Sequence, residues 1–202
     1  MDKERADRLT KAVLGRIFIE LEASGRHVHV TKEQARLLFG HPLTEKRPLS
    51  QPGQYLSNER VTVVGPKGKF ENVAVLGPER EEAQVEVSLT DGRTLGLQPP
   101  VRPSGNVQGS PGCTLIGPQG TVEISKGVIA AQRHIHMTPE DAKNRNVRDK
   151  QTVKLQVFTE RPVIFDDVLV RVSPKFATYA HLDYDEANAC GFQSGDLGRI
   201  FR

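Results

Sequence analysis

The feature that most constrains the fold of this chain is an internal repeat. The ten residues that begin at Arg26, RHVHVTKEQA, align with the ten that begin at Arg133, RHIHMTPEDA, and six of the ten positions are identical. A weaker likeness follows in each half, between ENVAV from Glu71 and DDVLV from Asp166. Repeated sequence predicts repeated structure, so the 202 residues are expected to form two related halves.

Short strands punctuated by glycine and proline dominate the sequence after Arg16. The chain has 18 Gly and 13 Pro, and VTVVGPKGKFENVAVLGP and QVEVSLTDGRTLGLQ each read as two strands joined by a turn, the second around Asp91-Gly92. This pattern favours small β-barrels over a flat parallel sheet. Short helices are predicted from Lys32 to Phe39, from Pro139 to Asn144 and from Asp185 to Cys190.

Residues 2–15 are predicted to form an amphipathic helix. Ala6, Leu9 and Val13 recur at helical spacing, and Ile17 follows one turn on. Two interpretations stay open: a helix packed on its own domain, or a docking or targeting peptide. Because no Gly/Pro linker precedes the next strand, the sequence favours the packed helix.

Composition excludes several classes of protein. With 37% hydrophobic and 26% charged residues, the chain is expected to be globular rather than disordered. The 28 basic and 25 acidic residues give a net charge of +3, which is too weak to indicate a nucleic-acid partner but is compatible with an anionic small substrate. No apolar run approaches the ~20 residues of a membrane span, and the start of the chain lacks the apolar core of a signal peptide, so a cytoplasmic protein is expected.

Four of the six histidines lie in the repeated motif. Alternate residues of a strand share a face, so His27 with His29, and His134 with His136, each present two imidazoles to one side. One H-x-H alone is weak evidence, but its duplication predicts metal binding. His41 belongs to neither motif and is interpreted as structural or exposed.

The weaker likeness supplies a further candidate ligand in each half. Thirteen residues separate Val73 from Glu86, and thirteen separate Val168 from His181. Imidazole and carboxylate ligands without thiolates suit a catalytic zinc, with cobalt or iron(II) as alternatives. Two such ions close together would polarise a carbonyl and hold an attacking or leaving group. The sequence therefore predicts two half-sites.

Other residues are candidates for anion binding or for nucleophilic chemistry. The guanidinium of Arg80, which aligns with Lys175 in the repeat, suits phosphate oxygens. The turn amides of the segment 100–105 suit them as well. Neither a P-loop nor a dinucleotide fingerprint is present in the sequence. Cys113 and Cys190 lie far apart and beside no histidine motif, so they are interpreted as structural.

The motifs together resemble the PduL-type phosphate acyltransferases, also called phosphate propanoyltransferases. The resemblance runs in order from about Ile17 to Gly191 and is carried by SGRHVHVT, LSQPGQYLSNERVTVVGPKG, VLGPER, QVEVSLTDGRTLGL, PVRPSGNVQGSPG, GVIAAQRHIHMTPEDA and VLVRVSPKFATYAHLDYDEANACG. It implies transfer of a short acyl group, propanoyl or acetyl, between coenzyme A and phosphate. It also implies a mainly β fold of two similar small β-barrels capped by short helices, with a two-zinc site between them.

The resemblance also implies a role for individual residues. It assigns these residues to two metal ions: His27, His29 and Glu86 to one, and His134, His136 and His181 to the other. It implies Arg80 as the catalytic residue that binds phosphate, Ser104 beside it, and Asn188 near coenzyme A. Pro103 stands where relatives more commonly have Asp, which affects the detail of the phosphate loop.

The resemblance further implies how the chain is divided and with what it associates. One barrel would comprise residues 1–25 with 132–202, and an inserted barrel would comprise residues 26–131. The family implies acyl-CoA, phosphate and acyl phosphate as ligands, a homodimer, and an N-terminal helix that in some relatives recruits the enzyme to a bacterial microcompartment. Two alternatives remain open from the residues: a zinc-dependent hydrolase of a thioester or phosphoester, and a noncatalytic barrel that binds metal.

Overall fold

The computed structural model describes residues 2, 4–5 and 13–201 of the chain, and β-strands form most of the regular structure in them. The strands in this part are β1 (Ile19–Ser24), β2 (His27–His29), β3 (Glu45–Pro48), β4 (Tyr55–Val64), β5 (Lys69–Gly77), β6 (Gln84–Glu86), β7 (Val101–Arg102), β8 (Cys113–Ile116), β9 (Thr121–Ile124), β10 (Val128–Ala131), β11 (His134–Met137), β12 (Thr152–Phe158), β13 (Val163–Val172), β14 (Tyr179–Asp183) and β15 (Leu197–Phe201). The helices whose two ends both lie in this part are α1 (Lys32–Phe39), α2 (Leu89–Leu95), α3 (Pro139–Asn144) and α4 (Tyr184–Cys190). The expected fold class, mainly β with short helices, is confirmed.

The chain divides into two compact units, each with a hydrophobic core of its own. The barrel unit contains the described residues up to Ser24, with Arg133–Leu182 and the residues from Glu186 onward. The half-barrel unit contains Gly25–Gln132 and Asp183–Asp185. The domain boundaries implied by the resemblance stay a prediction.

The barrel unit is a closed sheet in the strand order β1, β14, β11, β13, β12 and β15, in which β15 pairs back with β1. Alternation along β12 explains its core: Val153, Leu155 and Val157 are buried, whereas Thr152 and Lys154 are exposed. The apolar side chains of the strands therefore fill the inside of the barrel.

The half-barrel unit has nine strands, ordered β7, β10, β6, β2, β5, β4, β8 and β9, with β3 paired to β4. In β4, Val61 and Val63 alternate into the core. The sheet ends at the two-residue strand β7. Pro99, Pro100 and Pro103 flank this strand and have no N–H to donate to a further ladder, which accounts for its short length.

The strand pairing reproduces the sequence repeat. Strand β2 lies between parallel β5 and antiparallel β6, and β11 lies between parallel β13 and antiparallel β14. Asn72 and Asp167, at the same place in ENVAV and DDVLV, both adopt a left-handed backbone with φ of 56° and 53°. Asn and Asp tolerate that conformation better than other non-glycine residues. The two halves therefore share this local strand arrangement and not only a sequence motif.

A threonine lies two residues after each H-x-H motif and caps the helix that follows. Thr31 caps α1 by accepting a hydrogen bond from the Gln34 N–H, and the Gln34 side chain accepts from the Thr31 N–H in return. Thr138 caps α3, which has Pro139 in its first turn. The predicted helices at these two positions are confirmed, as is the one near the C terminus, which begins at Tyr184.

One prediction for the half-barrel unit is wrong. The sequence favours a strand turn around Asp91-Gly92, but Leu89–Leu95 forms helix α2. Ser88 caps this helix, since its side chain accepts from the Asp91 N–H and the Asp91 carboxylate accepts from the Ser88 N–H. The S-x-x-D capping signal outweighs the Asp-Gly turn signal because it satisfies two N–H groups that a helix start leaves without partners.

The predicted helix over residues 2–15 lies for most of its length outside the described residues. Residues 13–17 are helical and exposed. In the part of the chain that is described, no helix has the length and apolar character needed to cross a membrane.

Candidate functional site

The H-x-H motif of the half-barrel unit occupies strand β2. His27 and His29 are 7% and 2% exposed, and their ring centroids lie 5.0 Å apart. Val28, between them, is fully buried in the core of the unit. The strand therefore turns both imidazoles to the face opposite the core, as its alternation requires.

Glu86 joins this pair from the neighbouring strand. In the antiparallel pairing of β2 with β6, Glu86 is the direct partner of His27. One ligand atom from each of His27, His29 and Glu86 lies within 4.8 Å of the others, and all three residues are buried. We call these three residues the His27 group.

Backbone carbonyls fix the orientation of both imidazoles. His27 Nδ1 lies 2.8 Å from the Gly25 carbonyl oxygen, and His29 Nδ1 lies 3.2 Å from the Leu76 carbonyl oxygen. A carbonyl oxygen only accepts, so each Nδ1 carries the proton and donates it. In the neutral form of each ring, Nε2 then keeps its lone pair, which is the arrangement of a metal-binding histidine.

The charges of the His27 group influence one another strongly. Burial raises the pKa of Glu86, but His27, His29 and the Ser104 hydroxyl together outweigh this and hold the pKa of the carboxyl well below its usual range. Burial lowers the pKa of His27, but the Glu86 carboxylate outweighs it, so the pKa lies above its ordinary value. Burial, His27 and the positive charge of Arg80 hold the pKa of His29 well below its ordinary value. The group therefore combines an ionised Glu86 carboxylate with a neutral His29 imidazole.

The barrel unit holds a second group of the same design. His134, His136 and His181 each offer a nitrogen within 4.8 Å of the others, and we call them the His134 group. His134 pairs directly with His181 across β11 and β14. The ring centroids of the three histidines lie 4.6 to 4.9 Å from one another. The register that places Glu86 opposite His27 thus places His181 opposite His134.

Both groups fit a divalent transition metal. Each supplies three nitrogen or oxygen donors to one point, without thiolates, and leaves coordination positions open for water or substrate. The fit rests on donor chemistry and on the Nδ1 contacts. His181 extends it, since its Nδ1 lies 3.5 Å from a Glu22 carboxylate oxygen, a partner typical of metal-bound histidine.

The other predicted site residues have different surroundings. Arg80 is half-buried; its N–H donates to the Val30 carbonyl at 2.9 Å, and its charge acts on both histidines of β2. Ser104 Oγ donates to Glu86 Oε1 at 2.8 Å. Asn188 is exposed on α4. Arg80 and Ser104 thus lie with the His27 group, whereas Asn188 belongs to the barrel unit.

Sequence reasoning missed one ion pair in each half, formed by the arginine that precedes the H-x-H motif. Arg26 forms a bidentate ion pair with Asp91 and stacks over Phe70 at 4.1 Å. In the other half Arg133 contacts Glu186 at 2.8 Å and lies 5.9 Å from the Phe165 ring centroid. In both halves, the arginine of R-H-x-H therefore pairs with an acidic residue and lies near a phenylalanine ring. The repeat register carried 20 residues beyond Glu71 and Asp166 aligns Asp91 with Glu186, and it would have found both partners.

Two further partners carried no sequence signal. Gln84 is buried and donates to Glu86, and Glu22 contacts His181 from β1. Both look in the sequence like ordinary strand residues.

The residues predicted to be structural lie apart from these contacts. His41 is exposed, with its Nδ1 2.8 Å from the Pro42 carbonyl. Burial raises the pKa of the Cys113 thiol to about 12, and burial also raises the pKa of Cys190, whose thiol faces the Ala187 carbonyl. Neither thiol is primed as a nucleophile at neutral pH.

Comparison with known proteins finds the same description for a family model and for several relatives. A family model described as phosphate propanoyltransferase matches residues 20–193. A phosphate propanoyltransferase of Enterococcus faecalis is 56% identical over 91% of this chain and 88% of its own length. Proteins of the same name from Listeria monocytogenes and Citrobacter freundii are 50% and 46% identical, over 97% and 95% of this chain and 93% of each relative.

Proposed function

This chain belongs to the phosphate propanoyltransferase family, a family of acyltransferases, and we propose that it interconverts a short acyl-CoA plus phosphate with acyl phosphate plus coenzyme A. The observation that carries the proposal is the His27 group, whose three ligand atoms lie within 4.8 Å of one another in the unit that also contains Arg80. It supports an anion-binding group beside a candidate metal group within one unit.

We propose that the His27 group and the His134 group each hold one divalent ion, zinc by preference, with cobalt or iron(II) as alternatives. The His27 group would bind one ion through the two Nε2 atoms and a Glu86 oxygen, and the His134 group would bind the other. Such an ion supplies Lewis acidity that polarises the thioester carbonyl and stabilises a leaving thiolate.

The residues of the chain would bind and orient the phosphate. The Arg80 guanidinium offers two parallel donors to phosphate oxygens and neutralises charge as the carbonyl is attacked. A phosphate oxygen forms the bond to the carbonyl carbon, the carbon–sulfur bond breaks, and the electron pair leaves with the coenzyme A sulfur. Ser104 and Asn188 stay candidates for contact with phosphate and with coenzyme A, respectively. No protein nucleophile is needed.

The proposed function predicts that acyl-CoA consumption depends on phosphate. With propanoyl-CoA, release of free thiol should fall at least ~100-fold when phosphate is omitted, because water then replaces a nucleophile that the site binds and positions. The measurement is thiol release together with acyl phosphate, trapped as the hydroxamate. Equal thiol release without phosphate, with free carboxylate as product, would instead establish a metal-dependent hydrolase.

Direct attack also predicts that both cysteines are dispensable. The double variant Cys113→Ala/Cys190→Ala should form acyl phosphate within about threefold of the unmodified rate, since two buried thiols with raised pKa values are poor nucleophiles. Initial rates and the midpoint of thermal unfolding are measured together. A folded double variant that loses more than ~100-fold in rate would point to a covalent acyl-enzyme.

The remaining proposals concern substrate choice and location. The acyl group is propanoyl or acetyl, which differ by one methylene worth about 1–3 kcal/mol in an apolar pocket, so kcat/KM for the two thioesters decides between them. We also propose a cytoplasmic homodimer. Recruitment to a microcompartment through residues 2–15 is supported by their amphipathic spacing and the family resemblance, with a packed helix as the alternative.

A further inference from the structure

Gln84 is buried at 2% exposure and uses both ends of its side-chain amide. Its Nε2 donates to Glu86 Oε1 at 2.6 Å and to Ser104 Oγ at 2.9 Å. Its Oε1 accepts the Gly105 N–H at 2.7 Å. A neutral amide alone among the side chains of this size offers two donors at one end and an acceptor at the other.

These bonds determine which oxygen of Glu86 faces the histidines. Oε1 accepts from Gln84 and from Ser104, whereas Oε2 lies 3.5 Å from His27 Nε2. Two donors on one carboxylate oxygen restrict rotation of the carboxylate and leave the other oxygen directed at His27. Gln84 and Glu86 are alternate residues of β6, so their side chains lie on the same face of the strand.

The other half of the repeat supports this interpretation by contrast. The position of Gln84 opposite His29 is taken by Tyr179 opposite His136, and the position of Glu86 is taken by His181. An imidazole ligand needs an acceptor for its second N–H, and His181 has a Glu22 carboxylate oxygen 3.5 Å from Nδ1. A carboxylate ligand needs donors, and Glu86 has Gln84 and Ser104. In each half, the partner therefore matches the chemistry of the candidate ligand: an acceptor for the imidazole and donors for the carboxylate.

We propose that Gln84 is a positioning residue that holds Glu86 Oε2 in the orientation of a metal ligand and ties it to the Ser104–Gly105 turn. This role of Gln84 rests on the metal sites of the proposed function, but not on the proposed reaction. Removal of the amide should therefore weaken metal binding at the His27 group alone. Loss of an outer partner of this kind typically lowers metal affinity ~10–100-fold.

The test measures zinc affinity at one group at a time by competition with a chromophoric chelator. His136→Ala leaves the His27 group as the zinc site, and His29→Ala leaves the His134 group. Gln84→Met, which keeps the length of the side chain and removes its donors, is added to each background. We expect ~10–100-fold weaker zinc binding in the first background and a change of less than about threefold in the second.

Two further variants separate positioning from general stability. Ser57→Ala removes the hydrogen bond from a fully buried hydroxyl to the Val75 carbonyl in the same unit, and should leave zinc affinity unchanged. Ser104→Ala removes the second donor to Glu86 and tests the same clamp if Gln84→Met fails to fold. Its effect should be less than additive with that of Gln84→Met, because both act on one carboxylate oxygen.

The outcomes are distinguishable from those that test the proposed function. Unchanged zinc affinity in folded Gln84→Met and Ser104→Ala, or equal weakening at both groups, overturns the role of Gln84 even if acyl transfer is observed. Weakened affinity confined to the His27 group supports that role even if the protein transfers no acyl group to phosphate.

Discussion

Substitution of His29 by alanine is expected to leave one zinc ion per chain instead of two and to lower acyl phosphate formation at least ~1,000-fold. The reason is the loss of one of the three proposed ligands of an ion that would contribute several kcal/mol of charge stabilisation, and about 4 kcal/mol corresponds to ~1,000-fold in rate. His136→Ala, the equivalent change in the other half of the repeat, should have an effect of the same order. Metal content is measured by mass spectrometry beside initial rates.

His41→Ala is the matched control for these variants. His41 is a histidine of the same unit as His29, but its side chain is 53% exposed and belongs to neither group. It should keep two ions and full activity. A His29→Ala protein with two tightly bound ions, or with a rate within tenfold of the unmodified chain, would show that β2 does not bind a catalytic metal.

The second large effect is expected at Arg80. Arg80→Ala should lower kcat/KM for phosphate ~100–1,000-fold and leave both zinc ions bound, since in the proposed mechanism the side chain contacts the substrate and the transition state rather than the metal. Arg80→Lys should recover only part of the loss, because an ammonium lacks the planar pair of donors that a guanidinium offers to phosphate.

Lys175 provides the comparison for Arg80. It occupies the equivalent position of the repeat and is exposed. Lys175→Ala should change kcat/KM for phosphate by less than about threefold, as is usual for a substitution of an exposed side chain. An Arg80→Ala protein with an unaltered dependence on phosphate would remove Arg80 from the mechanism.

The repeat made much of this arrangement predictable from the sequence. Strand alternation puts His27 and His29 on one face, and equal spacing from Val73 and Val168 leads to Glu86 and His181. The structure pairs Glu86 with His27 and the corresponding histidine with His134 across neighbouring strands. Spacing succeeded here because a duplicated fold conserves the register of its strands.

The contacts that support the ligands were not predictable in the same way. Gln84 and Glu22 occupy strand positions at which periodicity gives only a face, and their partners depend on hydrogen-bond geometry. The ion pair between Arg26 and Asp91 was missed although the repeat register aligns Asp91 with Glu186, because the two partners are 65 residues apart in sequence. Helix α2 was missed because an Asp-Gly pair indicates a turn unless the preceding Ser88 is recognised as a cap. Local signals compete, and at this position the capping box outweighs the turn signal.

The most direct test of the central claim, a metal-dependent transfer of an acyl group to phosphate, is the rate of acyl phosphate formation by protein stripped of metal with a chelator. The metal-free chain should form propanoyl phosphate from propanoyl-CoA at less than ~1% of the original rate, and zinc should restore the rate as the two groups fill. A metal-free protein that remains folded and retains the full rate would contradict this account.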